Sequence, residues 1–368
     1  MPNNRITAPR FYISYGDWWK NLGYYHSVNN YNFPLISDVF TLQPDIIKTF
    51  PFIPGAIPGT QLSITSDPIS TPDLSGSYGI NFIAVLNHNL NNNFKFFLES
   101  WYQNSIGTLV PEKLSYKTSE NSINFAGTSD STDMIQYNGF SLCTFNHFSN
   151  EQTLQAGVEP TVMNTPKIYC GVTENENNTD SSVYNNFDIK IGSFIFGRYF
   201  DVPISPSMSV ESRFIHDGIN TVTTKGGSTL NSYKYLGAPS WNNISPFDLS
   251  LDTQEKAPGL SLKGRREFKL SFDFLKNEDT FPKYFTQNTK ETDDHDNVDG
   301  DYLTLLHSND FFSEVVNKVK NNTPFLFQID KDNFNIDSFI IGKFIGDFKF
   351  KQKNYKIWSV SLTIREVW

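Results

Sequence analysis

The C-terminal stretch Trp358-Ser359-Val360-Ser361-Leu362-Thr363-Ile364-Arg365-Glu366-Val367-Trp368 decides the fold class. Trp358, Val360, Leu362 and Ile364 alternate with Ser359, Ser361, Thr363 and Arg365, the period of two that a strand with one buried face requires. Just upstream, Phe344, Phe348 and Phe350 share one parity, with Asp347, Lys349 and Lys351 on the other. Gln352-Lys353-Asn354-Tyr355 lies between the two runs as a short polar turn. The sequence therefore predicts a long antiparallel hairpin that closes the C-terminal domain and ties the last residues into a sheet.

Working outward, the chain has 368 residues, for which two domains are the natural expectation. Aromatic residues make up 15% and charged residues only 19%, so sizeable cores can form, and the aromatic bias favours strands. Asn, Ser and Thr fill the intervals between apolar runs, as in turn-rich β proteins. The formal net charge is −9 and no basic patch is dense enough to track phosphates, which argues against nucleic acid as a partner. The N-terminus, Met1-Pro2-Asn3-Asn4-Arg5, is polar with no apolar run behind it, and no segment approaches the length of a membrane span. The expectation is a chain without signal peptide or membrane anchor. Cys143 and Cys170 show no metal-ligand spacing; one disulfide is open to them, and folding in a cytosol favours two buried thiols.

The polar run 173–186 marks a boundary, giving a β-sandwich domain over residues 1–186 and a β-barrel or sandwich domain over residues 187–368. In the first, seven prolines between Pro34 and Pro72 forbid continuous helix and central strands and leave extended, turn-rich chain with short strands such as 61–65. Strands are expected at 80–86, 94–101, 135–145 and 167–172. In the second, 187–200 reads as a strand. Asp217-Gly218 signals a hairpin between 209–215 and 219–224, and Gly226-Gly227-Ser228 a turn. Phe268, Leu270, Phe272 and Phe274 alternate as one buried face. One helix is expected near 310–321: Phe312, Val315, Val316 and Val319 have helical spacing, with Asn309 and Asp310 as caps and Pro324 beyond the end. Residues 193–200 and 338–345 echo each other over too short a span to mark a duplication.

Candidate chemistry is sparse. The run Asp293 to Asp301 offers Asp294, Asp296, Asp299 and Asp301 as oxygen ligands suited to Ca²⁺. Val298 occupies a ligand position of an EF-hand and Gly300 comes one place late, so a solvated acidic loop is the favoured reading. His88 sits at a strand end without a partner at useful spacing and reads as a turn residue bonded to backbone. Trp18, Trp19, Trp101 and Trp241 are the rings that could stack on a glycan, although core packing accounts for most aromatics in so ring-rich a chain. No nucleophile elbow, phosphate loop, dinucleotide fingerprint or zinc helix occurs, and nothing in the pattern asks for an enzyme.

The segments Pro324 to Asp330, Phe339 to Phe350 and Trp358 to Trp368 together resemble the closing strands of minor tail and distal-tail proteins of tailed bacteriophages. Phe196 to Pro203, Gly226-Gly227-Ser228 and Gly264-Arg265-Arg266 look like virion structural proteins of marine phages. The stretch from Ile80 to Leu90 is similar to jelly-roll, carbohydrate-binding-like modules. These resemblances imply a jelly-roll-like first domain and a tail-protein-like second one. They imply a non-enzymatic component of a tail tip or baseplate, assembled in host cytoplasm as a homo-oligomeric ring with other tail proteins. A glycan-binding, receptor-binding module of the virion that contacts a host surface glycan is the alternative.

Overall fold

A computed structural model describes residues 7–16, 25–28, 38–50, 62–66, 82–89, 94–103, 109–117, 123–125, 134–137, 140–144, 167–174, 189–207, 210–215, 219–233, 265–281, 310–319, 323–333 and 338–367. Its strands are β1 (Arg10–Ser14), β2 (Tyr25–Val28), β3 (Lys48–Phe50), β4 (Leu62–Ser66), β5 (Phe82–His88), β6 (Phe94–Gln103), β7 (Leu109–Lys117), β8 (Ile123–Phe125), β9 (Met134–Tyr137) and β10 (Phe140–Thr144). They continue as β11 (Lys167–Glu174), β12 (Ile189–Asp201), β13 (Glu211–Ile215), β14 (Ile219–Thr223), β15 (Thr229–Tyr233), β16 (Arg265–Lys276), β17 (Phe325–Gln328), β18 (Phe339–Phe344), β19 (Lys349–Asn354) and β20 (Ile357–Glu366). One short helix, α1, joins a π turn, Phe312–Val316, to an α turn, Asn317–Val319. The protein is mainly β, as the alternation patterns require.

Packing divides the chain into residues 1–13 with 199–368, and residues 14–198. The boundary expected at 186/187 precedes this division, and the first thirteen residues go with the second half. Sequence could not show this, because the partner of β1 is far away in the chain: Arg10, Phe11 and Tyr12 pair with Gln328, Phe327 and Leu326 of β17.

In the unit built from 1–13 and 199–368, the strand order is β13-β16-β20-β18-β17-β1, ending beside the last residues of β12, with β19 also on β20. The pairings are antiparallel, and among the described residues none closes this order into a barrel. Val360, Leu362 and Ile364 are buried on one face of β20, opposite Phe272, Leu270 and Phe268 of β16. The sequence pattern placed Phe274 on that same face, but it is 74% exposed. A bulge between Phe272 and Leu275 shifts the register by one, so Leu275 takes the inward position instead. The closing hairpin forms, with its turn at Tyr355-Lys356 rather than at 352–355. Gln352 and Asn354 look like turn residues in sequence because both lie on a strand that is wet along most of its length.

Helix α1 starts where the capping signal falls. Asp310 accepts hydrogen bonds from the backbone N–H and the hydroxyl of Ser313 at 2.9 and 2.8 Å, which satisfies an otherwise orphaned helix-start donor. The buried stripe is Phe311, Val315 and Val319, with Phe312 and Val316 only partly covered. Arg10 fastens β1 from the other direction. Its guanidinium forks onto Asp201 at 2.5 and 2.9 Å and lies 4.1 Å above the ring of Tyr199.

Residues 14–198 form two antiparallel sheets, a sandwich-like arrangement. One runs β12-β5-β10-β9 with β3 on β12, and the other β2-β4-β11-β6-β7-β8. Every residue of β5 is buried, as its unbroken apolar run predicts. The single strand expected over 135–145 is two, β9 and β10, paired as a hairpin through Tyr137 and Phe140. Asn87 adopts a left-handed φ of 53°, and its amide donates to the carbonyl of Pro44 at 2.5 Å. Cys143 and Cys170 lie on β10 and β11, in different sheets, and their side chains are outside the described residues.

Candidate functional site

Two features of the unit containing β20 stand out, a pocket at the foot of the closing hairpin and a strand pair that stands apart from the sheet. The pocket has a volume of about 470 Å³ and is lined by Asn277, Phe281, Phe312, Gln352, Tyr355, Lys356 and Trp358. The β16 bulge builds it. By resetting the register to Leu275↔Trp358 and Lys276↔Ile357, it delivers β16 into a single helical turn, Asn277–Thr280, beside the hairpin turn. Asn277 is then held at both ends: its backbone N–H donates to the carbonyl of Lys356 at 2.9 Å, and its Oδ1 accepts from Trp358 Nε1 at 2.9 Å.

Phe281 follows that turn and forms the back wall. Its ring meets Trp358 edge-on at 4.9 Å and lies 5.0 Å from Phe350 and 6.0 Å from Phe312. The edge-on contact with Trp358 is a geometry that ring quadrupoles prefer, and the tilted rings of Phe350 and Phe312 complete the wall. Tyr355 stands at the rim, 79% exposed, with Lys356 Nζ 5.4 Å from its ring centre. Among the described lining residues there is one ammonium, two amides and a phenol, and no carboxylate, imidazole or thiol.

The second feature is the hairpin β14–β15, which pairs only with itself among the described residues. Its tip is a tight turn in which Gly227 takes a φ of 81°, a conformation open to a residue without Cβ. Val222 and Leu230 face each other across it, and each is 60% exposed. This hairpin replaces the one expected around Asp217-Gly218. β13 pairs with β16 instead, in the register Glu211↔Lys269 to Ile215↔Arg265. Among the described residues β13 is the outermost strand of its sheet, and it presents Phe214 to solvent.

Glu267 ties that edge to the sheet. Buried at 2% exposure, it accepts hydrogen bonds from Arg213 on β13 and from Arg365 on β20, the latter at 2.8 Å. Burial alone would raise the carboxyl, but the two guanidinium groups outweigh it and hold Glu267 below its ordinary value. One position earlier in β16, Arg266 and Glu366 form a buried pair, with the Arg266 guanidinium also donating to the carbonyl of Phe339 at 2.7 Å.

The residues singled out by sequence fall elsewhere. Trp18, Trp19 and Trp241 lie outside the described residues, as do Asp294, Asp296, Asp299 and Asp301. Trp101 sits on β6 between Lys167 and Pro111 of the neighbouring strands, and its side chain is not among those described. His88 is a buried strand residue rather than a turn residue. It shares a 2.9 Å hydrogen bond with Ser141, and burial drives its pKa down to about 3, so the ring stays neutral. Among the described residues no three His, Cys, Asp or Glu side chains gather to hold a metal ion, and no helix is long and apolar enough to cross a membrane. Trp358, which the structure makes the pivot of the pocket, was legible only as the first inward residue of its strand. No family model, curated protein or solved structure matches the chain.

Proposed function

We propose that this chain is a structural subunit of a bacteriophage virion, positioned at the tail tip or baseplate and built into a ring of identical copies with other tail proteins. The observation that carries the assembly reading is the β14–β15 hairpin. A lone two-stranded hairpin is at best marginally stable in water, and this one shows Val222 and Leu230 to solvent with no third strand or helix on it among the described residues. Such an element gains its stability from a neighbour.

β13, which has no outer partner strand among the described residues, and the exposed ring of Phe214 extend the same offer, since an unpaired edge is a template for another chain. β19 carries the opposite signal. Lys349, Lys351 and Lys353 line it, and lysines on a sheet flank discourage pairing. One flank is thus built to be covered and the other to stay open; a ring of identical copies further requires a second, different patch to receive the first. The virion placement rests on the resemblance of the closing strands to phage tail proteins. In this reading the chain carries out no chemistry. Mass spectrometry of purified particles, with cryo-electron microscopy of their tails, tests it. Several copies arranged around the tail axis are expected, and absence of the chain from every particle ends the reading.

A further inference from the structure

We propose that the pocket between Phe281 and the β19–β20 hairpin is a binding site for a pyranose ring of a neutral saccharide. Its two kinds of surface match the two kinds of surface on such a ring. A pyranose has an apolar C–H face and an edge of vicinal hydroxyls. The pocket offers aromatic carbon from Trp358, Phe281 and Phe312 and, beside it, the amides of Gln352 and Asn277.

The amides are suited to the task. Asn277 Oδ1 is already occupied by the Trp358 indole, so the bond that orients the wall leaves the Nδ2 protons as donors. Gln352 can both donate and accept, as a hydroxyl pair does. Tyr355 at the rim adds an exposed ring and a hydroxyl.

Charge narrows the class. The described lining carries a single ammonium, Lys356, and no carboxylate, which disfavours a cation. Lys349 and Lys351 alternate with Phe350 and Gln352, so they belong to the opposite face of β19, and Lys353 falls at the bulge after Gln352; the three do not build a cluster for a phosphate in the described lining. The volume of about 470 Å³ falls within the range of small-molecule sites. The described lining holds no carboxylate pair, and the role assigned to the site is binding. This inference does not depend on ring assembly, because every lining residue belongs to one chain.

The indole N–H of Trp358, assigned as the resonance lost in Trp358→Phe, reports on the site directly. The full chain is titrated with the methyl glycosides of glucose, galactose, mannose and N-acetylglucosamine. At least one is expected to shift that resonance saturably, and Gln352→Ala or Tyr355→Ala to weaken its binding about tenfold, the loss of one good hydrogen bond or stacking contact. Both variants alter exposed side chains, so the protein stays folded. The proposal is overturned if no glycoside moves the resonance in the folded wild type, or if both variants bind as well as it does. A site that takes benzyl alcohol and no glycoside accepts an apolar side chain of another protein, and also overturns it. Self-association is measured separately by sedimentation, so either idea can fail alone.

Discussion

The ring of Phe11 lies 5.0 Å from that of Phe327, and the two residues face each other across the β1–β17 pair. Phe11 also packs 5.9 Å from Phe311, 5.7 Å from Phe325 and 5.9 Å from Phe344, so a residue from the N-terminal strand sits at the hub of the core formed by the last third of the chain. Phe11→Ala should therefore destabilise that distant unit by about 3–5 kcal/mol, the range for emptying a buried phenylalanine site. Urea unfolding followed by Trp fluorescence checks this. A loss under about 1 kcal/mol, typical of an exposed site, would show that β1 is not part of this core.

The Arg266–Glu366 pair makes a different demand. Glu366 accepts from the Arg266 backbone N–H at 2.9 Å as well as from the guanidinium at 3.1 Å, so removing the carboxylate strands two buried donors. Glu366→Ala should cost about 3–5 kcal/mol, whereas the double replacement Arg266→Met with Glu366→Leu should recover much of the loss, because neither charge is then left alone. A double-mutant cycle on urea midpoints, with Arg266→Met and Glu366→Leu also made singly, measures the coupling, and additive losses would contradict it.

Glu267 gives stability a pH dependence of known sign. Its folded pKa is depressed, so the unfolded chain binds the proton more tightly and stability rises with pH. The contribution is fully present above the ordinary glutamate value of about 4.3 and fades as pH falls through the lower folded value. Glu267→Gln should flatten that acid limb and release β13, seen as faster amide exchange at residues 211–215. An acid limb as steep in the variant as in the wild type would assign the dependence to other carboxylates.

At the turn of the closing hairpin, Lys356 holds a left-handed φ of 56°, which a Cβ disfavours. Lys356→Gly should raise stability by up to about 1 kcal/mol, and Lys356→Val should lower it by more. The Lys356 carbonyl that receives Asn277 is kept in both and the ammonium near Tyr355 is lost in both, so the difference in thermal midpoint between the two variants reads the backbone effect.

Period-two alternation made β20 and β16 visible in the sequence, and an unbroken apolar run made β5 visible, because each has a face or a whole strand removed from water. It misled at Phe274 and at the hairpin turn for physical reasons. A bulge inverts parity without leaving a local mark, and a strand wet along most of its length is indistinguishable from a polar turn. Asp310 was readable as a cap because capping is local chemistry. The pairing of β1 with β17 and the gathering of Asn277, Phe281, Phe312 and Trp358 depend on contacts between distant segments, and no single stretch encodes them.

Self-association through the β14–β15 hairpin is tested most directly by sedimentation velocity of the full chain beside the double variant Val222→Asp, Leu230→Asp. The wild type should form a discrete oligomer as its concentration rises, and the variant should remain monomeric while still unfolding in one cooperative thermal transition. A wild type that stays monomeric at every concentration, or a variant that assembles equally well, would contradict the account.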